Sequence, residues 1–579
     1  MTAYGEGREE LTLPLPLSQN AMATSHFTAA LVHLALSSTA PPSLQAEALH
    51  TLASLFRASR TNQELIASFE PIAPVVLAPA VGPGQGPSWD RQAPRSVLFA
   101  LLSLAIYGPP SPSNTLEQPE SEAPYYAVLP GAAPAPAVDA ATAHGAPGAP
   151  HDSSLAELVV KGPFFHLKLR TAALAALEAL VADNVALRVD IVRSMVKAAD
   201  AVSSVTPGSL LLDALVKLPE STSNTVPPSL SGDKTELPKP IDPYVTLLAC
   251  IITAHLLRGS TTVKSLARNV VFNVDGQAEW RDASIVASLS ASAANGEAGA
   301  STLEPKKVAA SGEEEEEEED ERPSLIQSLI GTLTSALRLQ SDSSRLDRAS
   351  ITLGGLAVGH LSSTASWARV SAGLFTLLSV WCWDSPEDVR ELLSESTNVQ
   401  VLVQAAVGGA ASGNGASNGG GASLPTLSEP MLQSLAAYLL GIAYEFDTDP
   451  GQLAVDRATL FGILKARIGE DEFGTRVRRL KEDRRFASVG PDVLALIGAG
   501  GSLGRHGAPS GTLAQLEAQA DVFVLALASG VPTAEVPVAP AVAATGGLGD
   551  DEWDGLWFDW PFVEAWKNNY GESLLALRV

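Results

Sequence analysis

The stretch SLQAEALHTLASLFRAS, at residues 43–59, contains the pattern that decides the fold of this chain. Its apolar side chains recur three and four residues apart, at positions 44, 48, 49, 52, 55 and 56, so they form one stripe along an α-helix. A helix is predicted before it at 27–36, and the polar turn Thr61-Asn62-Gln63 leads into a further short helix at 64–69. Each such pair leaves an apolar face that only a neighbouring pair can cover.

The same pairing of helices returns along the chain. Further helices are predicted at 167–181, 187–199, 244–257, 263–272, 324–338, 345–361, 366–382, 386–393 and 431–446. Strand-like alternation is scarce. Helix pairs that repeat about every 40 residues predict an all-α fold, an armadillo/HEAT-like α-solenoid with long disordered loop insertions. Separate helical bundles are the alternative.

Breaker-rich segments divide the chain. We expect a flexible N-terminus at 1–26, armadillo-like repeats at 27–486, an irregular Gly/Pro/Ala-rich insert at 487–549, and a C-terminal aromatic helix at 550–579 that completes the repeats. Disordered inserts are predicted near 108–154, 218–240, 283–322 and 408–423, because these segments carry too few apolar residues to order themselves.

Composition excludes several classes of function. The formal net charge of −26 argues against binding nucleic acid, which needs clustered Lys and Arg to neutralise phosphates. The longest apolar runs, 244–257 and 370–383, fall short of the roughly 20 residues that a membrane-spanning helix needs. The N-terminus has no pattern of a secretory signal, and Cys250 and Cys382 lie in apolar runs as small buried hydrophobes. We therefore expect indirect membrane contact and a reducing compartment.

One motif suggests a nucleotide-dependent enzyme. Residues 493–504 read VLALIGAGGSLG and resemble a strand followed by a Gly-rich turn, but Gly498, Gly500 and Gly504 miss the G-x-G-x-x-G spacing by one residue. A helix followed by a Gly-rich loop is the alternative. The nine histidines are scattered and show no metal-binding spacing. The sequence thus predicts no enzyme, no cofactor and no metal.

Two groups of residues are candidates for binding a partner. Aromatic residues are the usual anchors of interfaces, and they crowd the C-terminal stretch. The candidates there are Trp557, Phe558, Trp560, Phe562 and Trp566, which would otherwise seal the last helix pair. The basic stretch at 476–485 adds Arg476, Arg478 and Arg479, for which a solvated helix face is the alternative. The run of acidic residues at 313–321 is a solvated loop or a tail for a basic partner.

Several stretches together resemble the globular head of the general vesicular transport factor family, whose members tether vesicles at the Golgi. They are 49–69, 169–196, 244–273, 368–384, 398–402, 435–447, 460–473 and 558–567, in the order of the family. Residues 27–69 resemble a repeat from the middle of that head. The resemblance rests on dispersed helix patterns, among which the helix followed by Ile-Gly-Glu-Asp-Glu-Phe at 468–473 is the most specific.

The resemblance implies an armadillo-like fold and a vesicle-tethering scaffold in transport from the endoplasmic reticulum to the Golgi and within the Golgi. It implies a cytoplasmic protein, peripheral on Golgi and vesicle membranes, with a Rab-class small GTPase, SNAREs and golgins as partners. The family dimerises through a coiled coil, which needs a heptad run that this sequence lacks. A general α-solenoid adaptor outside membrane traffic is the alternative.

Overall fold

The computed structural model describes residues 26–37, 40–66, 69, 75–78, 88–91, 96–108, 167–196, 205–218, 241–282, 322–352, 363–408, 429–448, 455–498 and 556–573. Nearly all of the predicted N-terminal segment 1–26 and of the inserts near 108–154, 218–240, 283–322 and 408–423 lies outside these residues. The same holds for residues 499–555.

Helices dominate the described residues. They are α1 (Phe27–Ala35), α2 (Pro42–Phe56), α3 (Arg60–Leu65), α4 (Val97–Tyr107), α5 (Leu167–Val181), α6 (Val185–Arg193), α7 (Pro207–Val216), α8 (Tyr244–Leu257), α9 (Thr261–Arg268), α10 (Leu325–Thr352), α11 (Ser363–Cys382), α12 (Pro386–Leu393), α13 (Ser396–Val407), α14 (Pro430–Phe446), α15 (Arg457–Arg467), α16 (Glu470–Glu482), α17 (Arg484–Ala487), α18 (Val493–Gly498) and α19 (Trp560–Ser573). Two antiparallel strand pairs accompany them. These are β1 (Val75–Ala78) with β2 (Ser88–Arg91), and β3 (Val270–Phe272) with β4 (Ala278–Trp280).

One unit recurs four times in the described part of the chain: a long helix, a turn of three residues and a short helix. The pairs are α2 with α3, α5 with α6, α8 with α9, and α11 with α12. The long helices pack on those of neighbouring units, α2 on α5 and α8 on α11, while α11 also packs on α10 and α14. The apolar residues of these helices form one continuous core. The prediction of an all-α, armadillo-like solenoid is confirmed.

The middle residue of each turn has a left-handed backbone. The φ angles are 56° at Ala58, 56° at Asp183, 65° at Gly259 and 51° at Asp384. The next residue is Ser59, Asn184, Ser260 or Ser385, and it directly precedes the short helix. Asn184 and Ser260 accept hydrogen bonds from the amides of Leu187 and Val263, as N-cap residues do. The turn thus ends one helix and starts the next within three residues.

A hydrogen bond links each of the first three units to the following one. The donor is the fourth residue of the short helix, and the acceptor is the carbonyl oxygen of the residue that follows the next long helix. Gln63 Nε2 donates to Ala182 O at 3.0 Å, Arg188 Nη1 donates to Arg258 O at 2.9 Å, and Lys264 Nζ donates to Trp383 O. We call these bonds the inter-repeat ladder. The corresponding residue of α12 is Val389, which has no side-chain donor, so the ladder stops there.

Some predicted elements differ from the structure. The predicted helix at 263–272 ends at Arg268, and Val270–Phe272 forms β3, because this β-branched and aromatic triplet fits a pleated surface. Two helices are predicted at 324–338 and 345–361, but the structure has one continuous helix, α10, that ends at Thr352. No Gly or Pro stands between the two predicted segments to interrupt it. The predicted turn Thr61-Asn62-Gln63 lies inside α3, where buried Asn62 donates to Leu55 O at 2.8 Å.

Among the described helices, none combines the length and apolarity needed to cross a bilayer.

We expect Arg188→Ala to lower the free energy of unfolding by about 2 kcal/mol, because the guanidinium donates to Val181 O at 2.6 Å and to Arg258 O at 2.9 Å. Urea denaturation followed by circular dichroism measures the change. The matched control is Arg193→Ala on the same helix, where the exposed pair with Asp190 contributes less than about 1 kcal/mol. Equal losses in both variants would contradict the ladder.

We expect Gly259→Ala to destabilise the chain by about 1 kcal/mol. An added Cβ has open space, but the φ of 65° is unfavourable for an L-residue with a side chain. The control is Gly331→Ala in α10, which also has open space but no positive φ, and which should stabilise by up to about 1 kcal/mol. Thermal unfolding of both variants measures the two effects, and a Gly259→Ala variant as stable as the unsubstituted chain would refute this account.

Candidate partner-binding surface

The C-terminal aromatic stretch enters the repeats as an extended segment and then forms a helix. Residues 556–559 are not helical, and all four are at most 2% exposed. Helix α19 follows at Trp560–Ser573 and contacts α14. The segment 556–573 lies in a groove that we call the aromatic groove. Its lining residues are His255 of α8, Arg258 directly after α8, Arg369 of α11, Tyr438 of α14, and Arg485 and Phe486 of α17.

Trp557 lies between two guanidinium groups. Its ring is 4.6 Å from Arg369 Cζ and 4.8 Å from Arg485 Cζ. Both distances suit cation–π attraction, which strengthens when the cation is desolvated. Arg369 also stands 5.5 Å from the ring of Tyr244, so one arginine joins the segment to α8 and α11. This contact is specific for a flat, electron-rich ring at position 557.

The other aromatic side chains surround Phe486. The ring centroid of Phe486 is 5.3 Å from that of Phe558, 6.2 Å from that of Phe562 and 5.1 Å from that of Trp566, all near edge-to-face. Tyr438 adds a further edge contact to Phe562 at 6.2 Å. Such pairs each contribute about 0.5–1.5 kcal/mol beyond the area they bury. This cluster gives the segment its apolar anchor.

The structure therefore places most of the predicted aromatic anchors inside the chain. Trp557, Phe558, Phe562 and Trp566 are buried, so as they stand they do not present a surface to another protein. Burial follows from the periodicity of α19, which turns Phe562 and Trp566 to the same side as the extended residues before it. Trp560 is half-buried, with Lys567 Nζ 4.9 Å from its ring centroid. Partner binding by these residues stays a prediction.

The three predicted arginines of α16 have different surroundings. Arg476 is buried, pairs with Glu472 at 3.0 Å, and donates to Ala406 O near the end of α13, so it stabilises the fold. Arg478 and Arg479 are exposed. Arg479 lies 3.5 Å from Glu472, and Arg478 donates to Gly474 O in its own helix. Of the candidates on α16, only these two present their charge to solvent.

A cluster of titratable groups lies where the extended segment meets α8. Asp559 is 1% exposed, and its Oδ2 is 3.4 Å from both Arg258 Nη2 and His255 Nε2. Burial lowers the pKa of His255 to about 4, against a smaller opposing effect of Asp559, so the imidazole is neutral at pH 7. Arg258 is therefore the charged partner of Asp559. The other carboxylate oxygen, Oδ1, has no hydrogen-bond partner among the described residues.

Glu178 of α5 belongs to the same cluster. Burial and, next, the charge of Asp559 raise the pKa of Glu178 to about 7. Its side chain and His255 line a small cavity whose other walls are the apolar side chains of Leu102, Leu174, Ile191 and Ile252, among others. Two carboxyl groups thus lie near each other in an environment of low polarity, where Arg57 and Arg258 partly offset the negative charge of Glu178. This arrangement suits a protonation-dependent contact more than it suits catalysis.

The residues that suggested nucleotide chemistry have a different structure. Val493–Gly498 forms α18, a helix that packs on α5, while 499–549 lies outside the described residues. Over the described ranges, no three His, Cys, Asp or Glu side chains come together as a metal site requires. Cys250 and Cys382 are buried, and burial raises the pKa of both thiols, which disfavours the reactive thiolate.

Sequence patterns did not reveal the lining of the groove. Arg369 is 2% exposed in the middle of α11, and only its isolation as one charge within an apolar run could have signalled a buried arginine with a specific partner. His255 occupies a similar position in α8. The partners of both residues are distant in sequence. No local spacing encodes such contacts.

The fold is a solenoid of helical repeats, and segment 556–573 fills its aromatic groove. These features are typical of a repeat scaffold protein. The family model described as "Uso1 / p115 like vesicle tethering protein, head region" matches residues 153–295 and 299–496. These matches span more than half of the sequence, and the chain belongs to this family of vesicle-tethering heads. The resemblance inferred from the sequence is confirmed, and the role that the family's description gives is not an enzymatic one.

Two crystal structures are similar to this one. They are described as Uso1-1 and Uso1-2, with TM-scores of 0.49 and 0.48 and sequence identities of 14% and 13%. Each comparison covers 98% of this chain, but 55% and 54% of the other chain. The chain thus spans about half the length of the structures it matches. No curated protein matches the sequence.

We expect Glu178→Gln to reduce the dependence of stability on pH. In the native chain the carboxyl keeps a proton up to about pH 7, whereas in the unfolded chain it loses the proton near its ordinary pKa of 4.5. The native state is therefore not penalised by this carboxyl below pH 4.5. As the pH rises from 4.5 to 7 the unfolded chain gains the stability of ionised Glu178 while the native chain keeps the proton, so the free energy of unfolding falls. The unsubstituted chain should lose about 3 kcal/mol of stability between these limits.

Urea denaturation at pH 5 and pH 8 tests this expectation. In the Glu178→Gln variant, most of this fall in the free energy of unfolding should be absent, because the amide stays neutral at both pH values. Glu482→Gln, at an exposed position of α16, is the control and should follow the unsubstituted chain. A Glu178→Gln variant with the same pH dependence as the unsubstituted chain would show that the carboxyl is ionised in the native state.

Proposed function

We propose that this chain is the binding head of a vesicle tether that acts in transport from the endoplasmic reticulum to the Golgi and within the Golgi. The observation that carries the proposal is the family match, which runs from residue 153 to residue 496 and so includes the repeats from α5 to α18. Repeat scaffolds expose extended surfaces that suit protein partners. The chain would act by holding partners and not by changing them chemically.

The proposed partners are a Rab-class small GTPase in its GTP form, SNAREs and golgins. The proposed location is cytoplasmic, peripheral on Golgi and transport-vesicle membranes. A scaffold that recognises both a membrane-bound GTPase and a SNARE would contact the vesicle through these proteins. The whole-protein activity of the longer relatives is part of this proposal, since the chain covers about half of their length.

The proposed binding surface is the basic face of α15 to α17, together with Trp560. Arg467, Arg478, Lys481 and Arg484 are exposed there, and no described acidic side chain forms an ion pair with any of them. These cations stand out in a chain of net charge −26. Rim charges of this kind raise the association rate with an oppositely charged surface. We expect an acidic patch on the partner.

Pull-down of purified Golgi SNAREs, a golgin and a Rab protein loaded with GTP or GDP tests the proposal. The chain should retain the GTP form over the GDP form, and retain at least one SNARE. The double variant Arg478→Glu and Arg479→Glu should weaken binding about tenfold or more and reduce its dependence on salt, because each charge reversal replaces attraction with repulsion.

The matched control is Arg193→Glu, at a partly exposed arginine on α6 outside this surface, which should bind as the unsubstituted chain does. Retention of neither the GTPase nor a SNARE would refute the tethering proposal. Normal binding by the double variant would refute the assignment of the basic face and leave tethering intact.

A further inference from the structure

The aromatic groove is built largely without its occupant. Arg485 is held by Asp483, with Nη2 2.6 Å from Asp483 Oδ2, and by Glu429 Oε1 at 2.6 Å. Arg369 stacks on Tyr244 of α8. Both guanidinium groups that sandwich Trp557 therefore have partners outside segment 556–573. A site whose recognising groups are held in place in this way loses less conformational freedom on binding.

The occupant is bound in the manner of a peptide ligand. Its side chains contact side chains of four helices, α8, α11, α14 and α17. The order of those side chains is Trp557, Phe558 and Asp559, followed by Phe562 and Trp566 on α19. Residues 499–555 connect it to α18, so a long stretch of chain joins the segment to the rest of the repeats.

One contact of the occupant is poor. Among the described residues, the charged partner of buried Asp559 is Arg258 at 3.4 Å, and Asp559 Oδ1 accepts no hydrogen bond. The nearby His255 is neutral, and the second carboxyl group nearby is that of Glu178. Burying a carboxylate under such conditions costs free energy that Arg258 only partly offsets. The aromatic contacts favour the bound segment, whereas this charge weakens it. The segment is thus held less tightly than its buried area suggests.

We propose that the aromatic groove is a recognition site for partner peptides that present Trp-aromatic-Asp ahead of a short amphipathic helix, and that segment 556–573 occupies it as an intramolecular competitor. A partner with this sequence and a better-satisfied acidic residue displaces the segment. The displaced segment then exposes its own aromatic side chains. The inference does not rest on vesicle tethering, because the groove and its occupant are properties of the fold.

The first test uses a fluorescein-labelled synthetic peptide of residues 553–573 and the full chain. Trp557→Ala in the chain removes both cation–π contacts and weakens the competitor, so the variant should bind the peptide at least tenfold more tightly than the unsubstituted chain does. Glu564→Gln is the matched control, since Glu564 is an exposed residue of the same helix; this variant should bind the peptide like the unsubstituted chain. A peptide carrying Asp559→Lys should bind the Trp557→Ala chain at least tenfold more weakly than the native peptide.

The second test needs no substitution, so it holds if Trp557→Ala fails to fold. Hydrogen exchange of the unsubstituted chain should show amides of α19 exchanging at least a hundredfold faster than those of α11 and α14, because the segment opens without global unfolding. Exchange of α19 as slow as that of α11 would overturn the proposal. So would a folded Trp557→Ala chain that does not bind the peptide. A concentration-dependent dimer of the unsubstituted chain that Trp557→Ala abolishes would assign the groove to a second copy and also overturn it.

Discussion

The hydrogen bond from the fourth residue of a short helix to the carbonyl after the next long helix fixes how consecutive repeats stack. Helices that pack only by apolar contact can slide and rotate at small cost, whereas a directed bond to one carbonyl oxygen specifies an angle and a register. Gln63, Arg188 and Lys264 supply the donor in turn. The left-handed turn is part of the same device, since it ends the long helix and leaves that carbonyl free to accept.

The groove depends on this stacking. His255 comes from α8, Arg258 from the turn after it, Arg369 from α11, Tyr438 from α14, and Arg485 and Phe486 from α17, so no single repeat contains the site. Only a fixed superhelix brings these side chains within reach of one another. The consequence for function is that the head combines two kinds of surface. One is the exposed basic face of α15 to α17, and the other is a groove that the chain itself fills.

Electrostatics separates these two surfaces. Arg478 and Arg479 are in water, where their charge acts at long range and is screened by salt. Glu178 and His255 are buried in a setting that disfavours charge, which raises the pKa of the carboxyl group and lowers that of the imidazole. The two surfaces therefore respond to different conditions, the exposed arginines to salt and the buried ionisable groups to pH.

The sequence by itself determined the class of fold, the positions of most helices and the family, because apolar periodicity and the order of segments are local properties of the chain. It also located the C-terminal aromatic segment and the basic stretch of α16. Tertiary structure decided which of those residues face solvent: Trp557, Phe562 and Trp566 are buried, while Arg478 is exposed. It also decided the inter-repeat ladder and the arginines around Trp557. Pairs such as Arg258 with Asp559 are 301 positions apart, and only the stacking of repeats brings such residues together.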